Sequence, residues 1–321
     1  MNKWTPMATW AAITLGGISL APAAAADTLF PETAYVSLRE SAQLLKFPGQ
    51  VVWPGGPKML YTSVTPDGGV LAVSSPKEGG VYLFDTGTGR QLGMVKTGKA
   101  AKGLKITPDG REVYVVNEGA DTISVVDIAA QKVVASIATE KKPHNVRFSA
   151  DGKTAYVTLQ GGAGLGVIDT GARRMTRVIP TPGIDAPHNL DLSADGKQAF
   201  IRGLSNRVGV LDLLTGKMQK VMEVGQGHAG IDVIPGGHLV FTGAIADDVV
   251  TVIDTRTLQV LKRIKVGFGP HGLRASRDGR YLYVAVTAAD EVAVIDVARL
   301  EVVKTYREAS FPFWVAVRGN P

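Results

Sequence analysis

A single period governs this chain. A turn ending in glycine recurs at Pro66-Asp67-Gly68, Pro108-Asp109-Gly110, Ala150-Asp151-Gly152, Ala194-Asp195-Gly196, Pro235-Gly236-Gly237 and Arg277-Asp278-Gly279, its last glycines 42, 42, 44, 41 and 42 residues apart. Independently, an aspartate closing an alternating β-branched run recurs at Asp85, Asp127, Asp169, Asp212, Asp254 and Asp296, in steps of 42, 42, 43, 42 and 42. Two markers with one period mean an array of like units, each of which must pack on its neighbours to bury its apolar faces.

Inside a unit, runs of four to six residues rich in Val, Ile, Tyr and Ala alternate with turns. Asn145 to Ser149, Val113 to Val116, Ile123 to Asp127 and Lys132 to Ile137 illustrate the four positions. Such runs read as strands, and helix-period stripes are absent. Four strands repeated at this spacing are the pattern of propeller blades, so the expected fold is an all-β β-propeller. Six complete turn markers define six blades, and the tail Phe313-Trp314-Val315-Ala316-Val317 matches the first strand of a seventh, one period after Leu273. Ala34 to Leu38 is expected to be that blade's third strand and Gln43 to Phe47 its fourth, with Thr28 to Phe30 a candidate for the second. The expectation is a seven-bladed ring over residues 27–321, its last blade shared by the two termini.

Residues 1–26 read as an export signal: Lys3 at the start, an apolar stretch from Met7 to Leu20, and Ala24-Ala25-Ala26 as a small-residue cleavage site. A mature chain starting near Asp27 would have no membrane span and is expected in the periplasm as a monomer. The chain has no cysteine, which excludes disulfides, thiolate metal sites and cysteine nucleophiles. Without the signal, 34 basic residues face 29 acidic ones, a formal charge of +5, and the basic residues are scattered. A solvated surface accounts for them better than a nucleic-acid footprint does.

The units Glu112-Val113-Tyr114-Val115-Val116-Asn117 with Ile123-Ser124-Val125-Val126-Asp127, and Tyr283-Val284 with Val292-Ala293-Val294-Ile295-Asp296, resemble the YVTN-type β-propeller repeats over essentially the whole mature chain. The resemblance implies relatives among YncE-like periplasmic proteins and the propeller domain carrying haem d1 in cytochrome cd1 nitrite reductases. It bears on fold more than on function, because that superfamily spans binding proteins, enzymes and cofactor carriers.

Four of the five histidines share one repeat position, each eight residues before a glycine: His144, His188, His228 and His271 before Gly152, Gly196, Gly236 and Gly279. Lys102 and Phe313 hold the position in two other units, and an insertion near Lys58 obscures it in the remaining one. The position precedes each first strand, and first strands line a propeller's channel, so the four imidazoles are expected to converge at one axial mouth. Neutral imidazoles in a ring suit copper or zinc, and the four histidines are candidate metal ligands. Alternatively, each ring bonds a neighbouring blade's backbone and locks the blades together.

Histidines projecting to the axis also bind copper in nitrous oxide reductase, which this sequence is similar to only in Pro143-His144, Pro187-His188 and Pro270-His271. That family needs more histidines, so its reaction does not transfer. A haem d1 site, as the fold resemblance implies, would draw its axial histidine from His144 or His188 and its basic partners from Lys102 and Arg202. Arg202 interrupts a strand where sibling repeats have Val116 or Thr158, so it faces the channel or pairs with a carboxylate such as Asp191. The two aspartate series read as turn chemistry, not as acid–base pairs. No phosphate loop, Gly-x-Ser-x-Gly elbow, His-Glu-x-x-His or Cys-x-x-Cys-His motif is present.

The leading expectation is a periplasmic binding or accessory protein holding a small ligand, a metal or a metal cofactor at a histidine-lined mouth. The alternatives are a propeller enzyme (lyase, lactonase or copper oxidoreductase) and a scaffold for another periplasmic protein or single-stranded nucleic acid.

Overall fold

The computed structural model describes Met1 and residues 28–162 and 164–320, so the expected export signal, Met1 apart, lies outside the described residues. Seven four-stranded antiparallel sheets make up the molecule, and among the described residues the only helical turn is the 3-10 segment Thr287–Ala289. The chain is a seven-bladed β-propeller. Numbered along the chain, the innermost strands of blades 1 to 7 are Thr62–Val64, Ala101–Ile106, Pro143–Phe148, Asn189–Leu192, Ile231–Val233, Pro270–Ala275 and Pro312–Val317.

Both sequence markers have a local cause. Gly68, Gly110, Gly152, Gly196, Gly236 and Gly279, in the turns leaving the inner strands, have φ between 66° and 81°, the left-handed region in which a side chain is strained. Asp67, Asp109, Asp151, Asp195 and Asp278 brace these turns by accepting the backbone N–H two residues on, at 2.9 to 3.1 Å. The second series acts one hairpin later: Asp85, Asp127, Asp169, Asp212, Asp254 and Asp296 each accept the N–H three residues ahead, at 2.7 to 3.0 Å. Both are Asx turns, as expected from the sequence.

Burial occurs between blades. Tyr114, Ile123 and Val125 of blade 2 pack on Val146, Val157 and Ile168 of blade 3. The ring is completed where Tyr35, Leu44 and Trp53 of blade 7 meet Val64, Leu71 and Phe84 of blade 1.

Blade 7 corrects one expectation. Its sheet runs from Pro312–Val317 to Ala34–Leu38, Gln43–Phe47 and Val51–Pro54, so Ala34–Leu38 is the second strand and Gln43–Phe47 the third. Thr28 to Phe30 form no strand. Instead Phe30 is buried between blades 6 and 7, stacked on Phe47 and Tyr283 at centroid distances of 4.6 and 4.7 Å, while Tyr283 donates its hydroxyl to the Leu29 carbonyl at 2.7 Å. The segment is a wedge across the closure. Replacing Phe30 with Ala should therefore cost about 3 kcal/mol of unfolding free energy, measured by urea titration, with a cooperative transition retained.

Candidate metal centre

The four histidines come together as the repeat requires. Their rings form a continuous arc: His144 stacks on His188 at 3.8 Å between centroids, His188 meets His228 at 4.5 Å, and His228 meets His271 at 5.3 Å. Phe313 and Tyr61 continue the circuit, with His271–Phe313 at 4.3 Å, Phe313–Tyr61 at 5.6 Å and Tyr61–His144 at 5.7 Å. Tyr61 thus takes the place left ambiguous near Lys58, whose ammonium pairs with Glu40 on the surface.

The four imidazoles are not equivalent. His144 has both nitrogens engaged: Nδ1–H donates to Glu118 Oε2 at 2.7 Å and Nε2 accepts the Tyr61 hydroxyl at 2.7 Å. Lys102 donates to the other Glu118 oxygen at 3.0 Å. Burial opposes ionisation of Glu118, but the His144 hydrogen bond and the Lys102 ammonium outweigh it and bring its pKa down to about 2. Burial pushes the Tyr61 phenol up, so it stays a donor. A carboxylate, a tyrosine and a lysine thereby hold His144 in one tautomer.

His188, His228 and His271 form the remaining cluster, each offering one ring nitrogen within 4.8 Å of the other two. His271 Nδ1–H donates to the Phe313 carbonyl at 3.2 Å, leaving Nε2 as a bare lone pair, buried and without a hydrogen-bond partner. His188 Nε2 is likewise buried without a partner, while its Nδ1 meets the Gln160 side-chain amide. A rotation of that amide would set its oxygen against Nδ1–H and free the Nε2 lone pair, since the two ends of the group are interchangeable in outline. His228, half-buried, forms the solvent edge of the trio.

Burial keeps this trio neutral. It lowers His228 to about 4, helped by His144, Arg202 and Lys102 nearby, and lowers His271 to about 3. His188 moves the same way, for burial first and then its histidine neighbours.

Arg202 differs from both sequence expectations. It is fully buried and does not pair with Asp191, which is engaged by Arg147 at 3.3 Å. Its guanidinium donates to the carbonyls of Arg207 at 3.3 Å, Gly225 at 2.7 Å and Gly227, the last adjoining His228. Arg202 therefore anchors the loop that presents His228. Burial brings its pKa down to about 10, so it remains charged.

Tyr61, Glu118 and Gln160 were not anticipated from sequence. Glu118 and Gln160 do share one repeat position, 42 residues apart, directly after the second strands of blades 2 and 3. Their common spacing was the available signal.

The geometry defines a propeller with a histidine-lined axial mouth. The YNCE-like beta-propeller family model matches residues 65–188, and the resemblance inferred from the YVTN-type repeats holds there. Among solved structures, the chain is similar to a Kuenenia stuttgartiensis hydrazine synthase chain (TM-score 0.76, 23% identity, covering 85% of this chain and 93% of that one). It is also similar to a functionally unknown protein from Desulfotomaculum acetoxidans (TM-score 0.76, 15% identity, covering 90% and 100%) and to dihydro-heme d1 dehydrogenase NirN in complex with DHE (TM-score 0.70, 20% identity, covering 92% and 76%). At these identities the solved structures speak to fold alone. The search of curated proteins finds no match.

Haem d1, implied by the fold resemblance, does not fit these residues. The two basic candidates are committed elsewhere, Lys102 to Glu118 and Arg202 to backbone carbonyls, and the 3.8 Å stacking of His144 on His188 leaves no slot for a macrocycle between them.

Neutral imidazoles in the fold set a pH response. An unfolded histidine takes up a proton near pH 6.5, whereas His228 and His271 resist it until about 4 and about 3, so below pH 6.5 the unfolded state binds more protons. Thermal midpoints measured from pH 7.5 to 4 should fall progressively as pH drops below about 6.5. A variant with His188, His228 and His271 all changed to Ala should lose that part of the slope.

Proposed function

We propose that this protein is exported to the periplasm, where it binds a divalent d-block metal, copper foremost, through His188, His228 and His271. The observation that carries this reading is the pair of buried Nε2 atoms of His188 and His271 with no hydrogen-bond partner. Each costs about 1–3 kcal/mol to leave unsatisfied, a cost that bonding to a metal would relieve. The trio is neutral at physiological pH, as metal ligands must be, and carries no carboxylate that would favour magnesium or calcium. Copper ranks above zinc for such donors. Tetrahedral coordination needs nitrogens about 3.3 Å apart, so the trio would close by roughly 1.5 Å around the ion. His144 lies outside the ligand set, its two nitrogens being held by Glu118 and Tyr61. It packs against His188 and keeps that ring upright.

Three imidazoles leave a fourth coordination position, so the site suits a small ligand, an exchangeable metal or a partner's donor group. NirN, solved in complex with DHE, is a chain of this fold that holds a ligand. Arg202 would act here by fixing the carbonyl next to His228.

Elemental analysis of protein purified from the periplasm should find about one copper per chain, and titration of stripped protein with Cu2+ should show one tight site. His188→Ala or His271→Ala should weaken it by at least about a hundredfold, whereas His144→Ala should change it only a few-fold. Absence of metal together with unchanged Cu2+ affinity in the triple alanine variant would exclude the proposal.

A further inference from the structure

A second set of polar residues keeps the repeat period deeper in the channel. Lys105, Arg147, Asp191, Asp232 and Arg274 lie three residues beyond the mouth position of their inner strands, four in blade 5. They gather at the face opposite the histidines, where the glycine turns lie, and Lys105, Arg147, Asp191 and Arg274 floor a cavity of about 400 Å3. Lys105, Arg147 and Arg274 are only 7%, 4% and 5% exposed.

The charges within this ring do not cancel. Arg147 pairs with Asp191 at 3.3 Å and Arg274 with Asp232 at 2.6 Å. The carboxylates are further tied down by backbone N–H groups, Val233 to Asp191 at 2.9 Å and Ala275 to Asp232 at 2.6 Å. That leaves Lys105, which makes no hydrogen bond or ion pair among the described residues, and Arg147 Nη2, buried with no partner. Two donors without a partner, Lys105 Nζ and the buried Arg147 Nη2, thus belong to side chains that line the same cavity. A buried lysine is costly to retain without a partner, and no side chain here pairs with Lys105 directly.

We propose that this face binds a small organic carboxylate, its oxygens received by Lys105 Nζ and Arg147 Nη2. With Lys105 protonated on binding, three cations would stand against two carboxylates, which calls for a singly charged anion. The walls above them, Ile106, Phe148, Leu192, Val233 and Ile234, are apolar and call for a ligand with an apolar body rather than an inorganic oxyanion. The volume suits a molecule of about ten heavy atoms. The site shares no residue with the metal trio and does not depend on it.

Occupancy also makes sense of Lys105. Burial, with Arg274 and Arg147 beside it, pushes its ammonium well down, and Asp191 and Asp232 across the ring only partly restore it. A bound carboxylate would pull it back up, so binding takes up protons and tightens as pH falls.

The test is calorimetric titration of the full protein with sodium benzoate, using sodium chloride and sodium sulfate as controls. In metal-stripped protein the expected result is one saturable benzoate site, weakened about tenfold or more by Lys105→Met, largely retained by Lys105→Arg and unchanged by His188→Ala. As an independent measurement on the unaltered chain, benzoate should protect Lys105 from acetylation, read by mass spectrometry. Benzoate binding that chloride abolishes at equal concentration, affinity unaffected by Lys105→Met, or no protection of Lys105 would each overturn the proposal.

Discussion

Everything in this molecule depends on sheets that bury their faces only against the next sheet. No blade has a private core: the apolar side chains of blade 2 are covered by blade 3, and those of blade 7 by blade 1. Such an arrangement has no stable open form, because an open ring would expose two sheet faces at once. Closure is supplied by pairing Ala34–Leu38 with Pro312–Val317, strands from opposite ends of the chain, and Phe30 is wedged beside that junction. In the same construction the inner strands approach so closely that a side chain on Gly103 would strike the His144 carbonyl, and one on Gly272 the Phe313 carbonyl.

That crowding explains why polar residues at one repeat position become a site. Residues 42 apart in sequence meet ring to ring around the axis, and they do so in layers. The histidine arc lies at one face; beneath it Asn145 bonds Asn189, and Asn189 donates to the Ala229 carbonyl at 2.8 Å; below these lie the paired arginines and aspartates. The asparagine layer satisfies itself. The layers at the two faces do not: the Nε2 groups of His188 and His271 above and Arg147 Nη2 below are buried without a hydrogen-bond partner.

The architecture was legible because both markers arise from backbone requirements, a left-handed turn glycine and an Asx turn, that every blade must meet. Blade 7 escaped that logic. Its first and second strands lie at opposite ends of the chain, so no glycine turn joins them, and without that anchor Ala34–Leu38 was placed one strand too far out. The histidines were legible as four identical residues in register. Glu118 and Gln160 share a position but not a chemistry, so spacing alone did not single them out. Tyr61 was masked by the insertion near Lys58. The charged ring was hidden because its members differ in sign and type, and identity of residue type was the cue that revealed the histidines. Arg202 was misjudged for a different reason: a buried arginine can be compensated by carbonyls alone, and sequence shows side chains, not carbonyls.

The two faces are close enough to influence one another. Three residues of extended strand span about 10 Å, and at an effective dielectric of about 20 two unit charges at that distance interact by about 1.7 kcal/mol. A dication held by the histidines and a carboxylate held by Lys105 and Arg147 would attract each other by about twice that, before the intervening asparagine layer screens it. With a cation at one end and an anion at the other, the sign of that coupling would be attractive. Linkage makes the effect mutual, so whatever the anion adds to metal affinity the metal adds to anion affinity. Such coupling would need no moving part, because it would be electrostatic and would run along the axis that ring closure creates.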